Sequence, residues 1–231
     1  MNKYSRQTRM LVAVDCIVFG FDGAELKLLL AHRALEPQMG KWSLMGGFVQ
    51  PNEGLDEAAA RVVKQLTGLE GLYLEQFSAF GSPQRDPIER TVSVAYFALL
   101  DINQYQQQIN EEYHAVWFPI NSFPELIFDH QQMVAMARKK LQDKALTHPI
   151  LFELMPDKFT IPQMHSLYEG VYDIVYDKRN FSRNILSTGL LVKLNEKEKT
   201  SSRKGAFYYK LDKRKYKSRF SGLLGLGEGK K

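Results

Sequence analysis

The sequence predicts an α/β protein in two parts, an α/β/α sandwich on a mixed sheet followed by a winged helix-turn-helix.

 Three observations carry that prediction. Through about the first 150 residues, β-rich runs alternate with helical periodicity, as in a sheet with helices on its faces. A helix, a short turn, a second helix and two strands then follow one another in the last third. Charge also divides between the parts: residues 1–150 hold 14 Lys+Arg against 17 Asp+Glu, net −3, and residues 151–231 hold 17 against 9, net +8, within a total of +5. A length of 231 residues gives room for two domains. The expected division is 1–148, 149–222 and a frayed tail at 223–231.

The elements of the first part follow in order. Leu11–Phe19 and Leu26–His32 are β-rich runs joined at Phe21–Glu25, where Asp22-Gly23 suits a hairpin turn. A loop, Ala34–Lys41, and the segment WSLMGGFV come next. Leu55–Thr67 reads as a helix because Leu55, Ala59, Val62 and Leu66 recur at i, i+4, i+7 and i+11, and Gly68 suits its C′ position. Strands are expected at Leu72–Phe80, Thr91–Leu99 and, more briefly, Trp117–Pro119. Asp129 can cap a helix over His130–Leu146, which His148-Pro149 ends.

Composition bounds the setting. Hydrophobic residues make up 44% and charged residues 25%, ordinary for a soluble globular chain. The single cysteine, Cys16, excludes an intramolecular disulfide and sits in an apolar run, where it reads as a small buried hydrophobe. The basic start MNKYSRQTRM leads into a strand containing Asp15 and lacks a cleavage pattern, so no signal peptide is expected. No run approaches the roughly 20 apolar residues of a membrane span. These features predict a cytoplasmic protein with no membrane partner.

In the second part Thr160 caps a helix that opens on Ile161-Pro162, with Met164, Leu167, Tyr168, Val171 and Ile174 as its apolar stripe. Asp177 caps a second helix, Lys178–Ser187, and Gly189 closes it. Strands Leu190–Leu194 and Ala206–Leu211 flank the polar loop NEKEKTSSRKG. In the second helix Phe181 and Ile185 pack inward, while Arg179 and Arg183 face the opposite way beside Asn180 and Ser187. Such a face can enter a major groove, where arginine pairs with guanine and asparagine with adenine. Lys178 and Ser182 are placed for backbone contacts, and Arg203 and Lys204 sit where a wing would reach phosphate or minor groove. Lys213, Arg214, Lys215, Lys217 and Arg219 add electrostatic grip. The bland alternative is a solvated cationic face and, for Lys230 and Lys231 after GLLGLGEG, a frayed tail. With the charge split, the helix pair and wing predict double-stranded DNA as partner. A basic winged helix that binds RNA is the weaker alternative.

From Gly47 the chain reads GFVQPNEGLDEAAARVVKQLTGL. Gly47, Glu53, Arg61, Val63, Gly68 and Leu69 fall in the frame G-x5-E-x7-R-E-U-x-E-E-x-G-U, U being aliphatic, so the segment resembles a Nudix box. The three glutamates that follow the arginine are replaced by Val62, Gln65 and Leu66, which share one helix face. Mg²⁺ wants charged oxygen ligands, which that face lacks, so neither a metal nor a cofactor nor catalytic residues are predicted. The resemblance extends over roughly residues 8–212 to the Nudix-related transcriptional regulators. His32-Arg33, GKWSLMGG and RDPIERTVSVAYFAL are similar to that family's sheet and effector pocket, and FDHQQMVAMARKKL, LMPDKFTIPQMHSLYEGVYD and DKRNFSRNIL to its linker helix and DNA-binding domain. Met45 stands where a proline is usual, and RKGAFYY lacks the usual GRPA form of the wing.

The resemblance implies a homodimeric repressor of a bacterial cytoplasm that releases operator DNA when a small effector binds. Its two effector classes are ADP-ribose and L-arabinose. Without a metal helix a neutral pentose is the expected effector and ADP-ribose the alternative. Arg33, Lys41 and Arg85 speak for an anion. Asp15, placed in an apolar strand, needs a partner or a ligand. Gln50, Glu53 and Asp129 complete the candidate effector residues, although Glu53 could be merely solvated and Asp129 merely a helix cap. A hydrolase with an accessory basic domain would have to recruit Glu53, Glu57, Glu70 or Glu75 as replacement ligands.

Overall fold

The computed structural model describes residues 7–33, 36–105, 114–199 and 205–215. Ala34 and Leu35 of the expected loop, Arg203 and Lys204 of the wing, Lys217, Arg219 and the expected tail at 223–231 lie outside the described residues. The chain divides into two compact units. One comprises Met1–Gly20, Lys27–Leu100 and Tyr105–Lys140; the other comprises Phe21–Leu26, Asp101–Gln104 and Leu141–Lys231.

The first unit is built on a seven-stranded sheet. Its strands are β1 (Leu11–Phe21), β2 (Leu26–His32), β3 (Trp42–Ser43), β4 (Met45–Phe48), β5 (Tyr73–Phe80), β6 (Thr91–Asp101) and β7 (Ala115–Pro119). The order is β3-β2-β1-β6-β5, with β4 paired to β1 and β7 to β2. β1 is buried without interruption from Ala13 to Phe21, as its unalternating apolar run requires of a strand covered on both faces. β3 and β4 form inside WSLMGGFV, where sequence periodicity is too short to announce a strand; pairing supplies them, Ala31 facing Ser43 and Asp15 facing Gly46. β1 and β6 each run two residues beyond the expected ends.

Helix α1 (Leu55–Thr67) has the expected bounds and packs on β4 and β5. It buries Ala58, Ala59, Val62 and Val63. The Glu57 carboxylate accepts from the Gly54 N–H at 2.8 Å, and Gly68 takes the left-handed conformation at φ 75°, donating to Lys64 O at 2.8 Å. After the short α2 (Ile102–Tyr105) comes α3 (His130–Ala145), which buries Met133, Val134, Ala137 and Leu141. α3 is one helix whose residues belong to the first unit up to Lys140 and to the second from Leu141.

The second unit continues with a 3-10 turn at Ile150–Leu154, then β8 (Phe159–Thr160), α4 (Ile161–Tyr172), α5 (Lys178–Ser187), β9 (Leu191–Glu198) and β10 (Ala206–Leu211). β8-β10-β9 form a three-stranded antiparallel sheet. Thr160 caps α4 as expected: Thr160 Oγ1 accepts from Gln163 N at 3.3 Å, and Gln163 Oε1 accepts from Thr160 N at 2.8 Å. The apolar stripe is corrected at one end. α4 stops at Tyr172, Asp173 turns left-handed at φ 58°, and Ile174 is 52% exposed beyond it. His165 joins Met164, Leu167 and Val171 in the buried set. A Cβ on Gly170 would meet Leu26 Cβ at 2.9 Å, so only glycine lets α4 approach the turn at Phe21–Leu26 this closely. β9 is longer than expected because its polar residues go on pairing, Lys197 with Phe207 and Glu198 with Ala206.

Candidate effector cavity and nucleic-acid interface

A buried charged cluster forms where β1, β6, the loop before β6 and the start of α3 meet. Asp15 lies on β1 and is buried. It accepts from Ser93 Oγ at 2.6 Å and from Arg85 Nη2 at 3.2 Å. The Arg85 side chain, 4% exposed, also donates from Nε and Nη2 to the two carboxylate oxygens of Asp129, at 3.0 and 2.9 Å. His130 Nε2 stands 3.5 Å from Asp15 Oδ1, and its Nδ1 accepts from Leu44 N at 3.2 Å. The Leu44 N–H can only donate, so Nδ1 is bare and the proton of the neutral ring sits on Nε2, facing Asp15. Burial lowers the His130 pKa, outweighing the opposite pull of Asp15 and Asp129. Burial also works against the Arg85 charge, but the bonds and charges of Asp129 and Asp15 outweigh it and raise its pKa.

Arg85 and Asp129 stand in the wall of a cavity of about 700 Å³. Gln38, Gln84 and Gln132 give it neutral hydrogen-bonding groups, and Phe80, Phe128 and Met136 give it apolar surface. Arg33 and Lys41 lie near this region without joining the cluster. Arg33 Nε donates to Pro37 O at 2.7 Å and its guanidinium lies 5.7 Å from the Phe128 ring, while Lys41 lines a smaller hollow of about 230 Å³ with Gln38 and Phe128. Asp129 therefore turns its carboxylate to Arg85 rather than serving simply as the expected cap of α3.

The box residues are engaged with one another. Glu53 accepts from Arg61 Nε at 2.8 Å and Nη2 at 2.5 Å, and from Gln50 N at 2.8 Å. The Arg61 bond is the main cause of the lowered Glu53 pKa. Gln65 Oε1 accepts from Arg61 Nη1 at 3.0 Å. Val62 is 2% exposed, and a Cβ on Gly47 would come 2.7 Å from its Cγ2. The proposed substitute ligands are dispersed in use: Glu57 bonds Gly54 N, Glu70 pairs with Lys64 at 2.8 Å and Glu75 accepts from Tyr73 Oη. A divalent ion does not fit this donor set: the positions that would bring charged oxygens hold a valine, a leucine and a glutamine already bonded to Arg61. Among the described residues no group of three or more His, Cys, Asp or Glu side chains could hold a metal ion.

In the winged helix, Asp177 caps α5, accepting from Asn180 N at 2.8 Å. Phe181 and Ile185 are half-buried, and Phe181 packs against His165, Tyr168 and Tyr176 at ring distances of 5.1, 5.3 and 6.0 Å. That seating leaves Lys178, Arg179, Asn180 and Arg183 exposed. Arg183 Nη2 donates to Asn180 Oδ1 at 3.0 Å, and Ser182 Oγ donates to Lys178 O at 2.7 Å. In β9 the period of two puts Lys193 and Lys197 on one face, where both lie over the Phe207 ring at 3.6 and 4.5 Å. Glu196 is on the other face, bonded to Lys158 at 2.5 Å. Sequence reasoning passed over these two lysines, although the alternation K-L-N-E-K in β9 contains the signal.

Of the sequence candidates, then, the structure gathers Asp15, Arg85 and Asp129 in one cluster and binds Gln50 and Glu53 into another with Arg61. Ser93 and His130 were missed. Ser93 is one polar residue in an apolar strand, a weak signal, and His130 has none beyond its place after Asp129.

Known proteins match this arrangement in both parts. The NUDIX domain profile matches residues 9–138, and the NrtR DNA-binding winged helix domain profile matches residues 151–211. An ADPR responsive transcriptional repressor, NtrR, of Acinetobacter baylyi is 31% identical over 93% of this chain and 87% of its own length. An ADP-ribose pyrophosphatase of Methanocaldococcus jannaschii is 31% identical over 58% of this chain and 76% of its own. The crystal structure of Shewanella oneidensis NrtR with a 27mer DNA superposes with a TM-score of 0.73 at 29% identity, covering 87% of this chain and 93% of that one. The NUDIX domain of the same protein with ADP ribose superposes with a TM-score of 0.51 at 30% identity, covering 59% of this chain and 91% of that one.

Proposed function

The chain belongs to the Nudix family, in the group that joins a Nudix domain to an NrtR-type winged helix, and from that premise we propose that it is a ligand-responsive transcriptional repressor. Residues 149–222 bind operator DNA and residues 1–148 bind the effector. The observation that carries the reading is α5: its aromatic face is seated on α4, which leaves Arg179, Asn180 and Arg183 exposed together on a capped helix. Lys178 and Ser182 are assigned to phosphate contacts. The repressor works in the cytoplasm as a homodimer, whose two copies read half-sites on one face of the duplex.

For the effector we favour ADP-ribose over the pentose expected from the sequence. Two relatives support it by name, the repressor described as ADPR responsive and the NUDIX domain seen with ADP ribose. Size and chemistry agree. A cavity of about 700 Å³ exceeds what a single pentose needs, and its wall offers amides and aromatic rings for a base, Asp129 for ribose hydroxyls and Arg85 for phosphate. Glu53 is bonded to Arg61 and to the Gln50 backbone N–H, which holds the box together and leaves the Gln50 side chain exposed. With Val62, Gln65 and Leu66 on the metal face, the domain senses its ligand without hydrolysing it.

The test is a gel shift of the full-length protein on duplex DNA from upstream of its own gene, with ADP-ribose and L-arabinose added separately. The expected result is a retarded band that ADP-ribose abolishes and arabinose leaves intact. Release by arabinose alone would restore the pentose reading. Turnover of ADP-ribose with Mg²⁺ at an ordinary enzymic rate would overturn the non-catalytic one. Replacing Arg183 by Ala should weaken operator binding by about 1–3 kcal/mol and relax base preference at one position. A uniform loss on all sequences would make Arg183 a phosphate contact.

A further inference from the structure

Both backbone polar groups of Tyr176, in the turn between the two helices of the DNA-binding domain, are held by side chains of α4. Its N–H donates to Glu169 Oε1 at 3.0 Å, and its carbonyl oxygen lies 2.9 Å from His165 Nε2. A carbonyl only accepts, so Nε2 is the donor. The other edge of the ring faces Glu169 Oε2 at 3.4 Å. His165 and Glu169 are one helical turn apart and so project from the same face of α4. His165 is buried, and its ring meets Phe181 of α5 edge-on at 5.1 Å and 88°. Tyr176 directly precedes Asp177, the N-cap residue of α5. One pair of side chains thus fixes the entry point of α5 and the first aromatic contact of its inner face.

From this geometry we infer that His165 and Glu169 are positioning residues for DNA recognition: they set the angle at which α5 presents Arg179, Asn180 and Arg183. The inference rests on the DNA-binding reading above. In the centre of the α4–α5 turn Ile174 and Val175 are 52% and 91% exposed, so their side chains add little packing to the clamp. A helix aimed a few degrees wrong still meets phosphates, which attract it from any direction, but it loses bidentate contacts to base edges, which demand fixed geometry. The clamp therefore governs specificity more than gross affinity.

Two conservative variants separate reach from charge. Glu169→Gln keeps an oxygen within reach of the Tyr176 N–H and removes the charge; Glu169→Asp keeps the charge and withdraws the oxygen by one methylene. The probe is a duplex enriched from a randomised library by the wild-type full-length protein, with a scrambled duplex as control. E169D should lose about tenfold or more on the enriched duplex, the scale of one half-buried donor left without its acceptor. On the scrambled duplex it should change by less than about twofold, because phosphate attraction is untouched. E169Q should stay near wild type on both. His165→Phe, which keeps a ring against Phe181 and removes the donor, should repeat the selective loss. Wild-type behaviour of E169D and H165F on the enriched duplex, equal losses on the two duplexes, or a loss in E169Q matching that in E169D would each overturn the clamp. Failure of the wild type to enrich any duplex would instead overturn the DNA-binding reading and the clamp with it.

Discussion

Arg85 stands between two carboxylates, so removing the arginine and removing one acid have different consequences. In Arg85→Ala, Asp15 keeps Ser93 and the neutral His130 as its side-chain partners among the described residues and remains buried. Breaking such a pair costs about 3–5 kcal/mol, which urea unfolding would register. Asp129→Asn should cost less, about 1–2 kcal/mol, because Asp129 is more exposed and Arg85 keeps Asp15. Equal losses would show that the second carboxylate matters as much as the first. His130 adds a pH dependence of definite sign. Its pKa is lowered in the folded protein, so in the interval below the ordinary histidine value the unfolded chain binds the extra proton and the folded one does not. This contribution is in place at neutral pH and is lost as pH falls below about 6.5 towards the folded value. His130→Gln should flatten the decline in melting temperature between neutral and mildly acidic buffer; an unchanged decline would assign it to other groups.

At the scale of elements, the caps offer the cleanest tests. Thr160→Ala removes the acceptor for Gln163 N at the start of α4 and should cost about 1 kcal/mol in denaturant unfolding. Val62→Glu places a carboxylate at a position 2% exposed beside Gly47 and should destabilise by at least about 2 kcal/mol. A variant as stable as wild type would mean that α1 can still turn an acid at this position to solvent, as the hydrolytic pattern requires. The bounds of α1 and α5 were legible in sequence to the residue, because apolar periodicity and the end signals of Gly68 and Asp177 are local. β3, β4 and β8 were not, since strands of two to four residues exist only through partners distant in sequence. The same holds for the cluster of Asp15, Arg85, Ser93, Asp129 and His130, which four separated stretches of chain assemble. The expectation of a pentose rested on a different kind of signal. Lost carboxylates bear on metal chemistry, whereas the ligand is chosen by the walls of a cavity that no local pattern describes.

For the molecule as a whole, the basic second part predicts steep salt dependence of DNA binding. Each phosphate neutralised should add about −0.9 to the slope of log affinity against log salt. Replacing Lys193 and Lys197 together should make that slope shallower by up to about 2 if both meet phosphate; an unchanged slope would leave them as a structural pair around Phe207. The second unit also has a peculiarity of composition. It includes Phe21–Leu26 and Asp101–Gln104 besides Leu141–Lys231, and Leu26 fits against Gly170 of α4 at a distance that no side chain would permit. Its parts are thus drawn from three places in the chain. Heating should accordingly give one cooperative transition rather than two, and a fragment starting at residue 149 should melt well below the intact protein. A DNA-binding domain assembled in this way is no interchangeable cassette. Grafted onto another sensor it would have to bring its hairpin tip along, so changes in operator preference and changes in the sensor's first hairpin are bound to be inherited together.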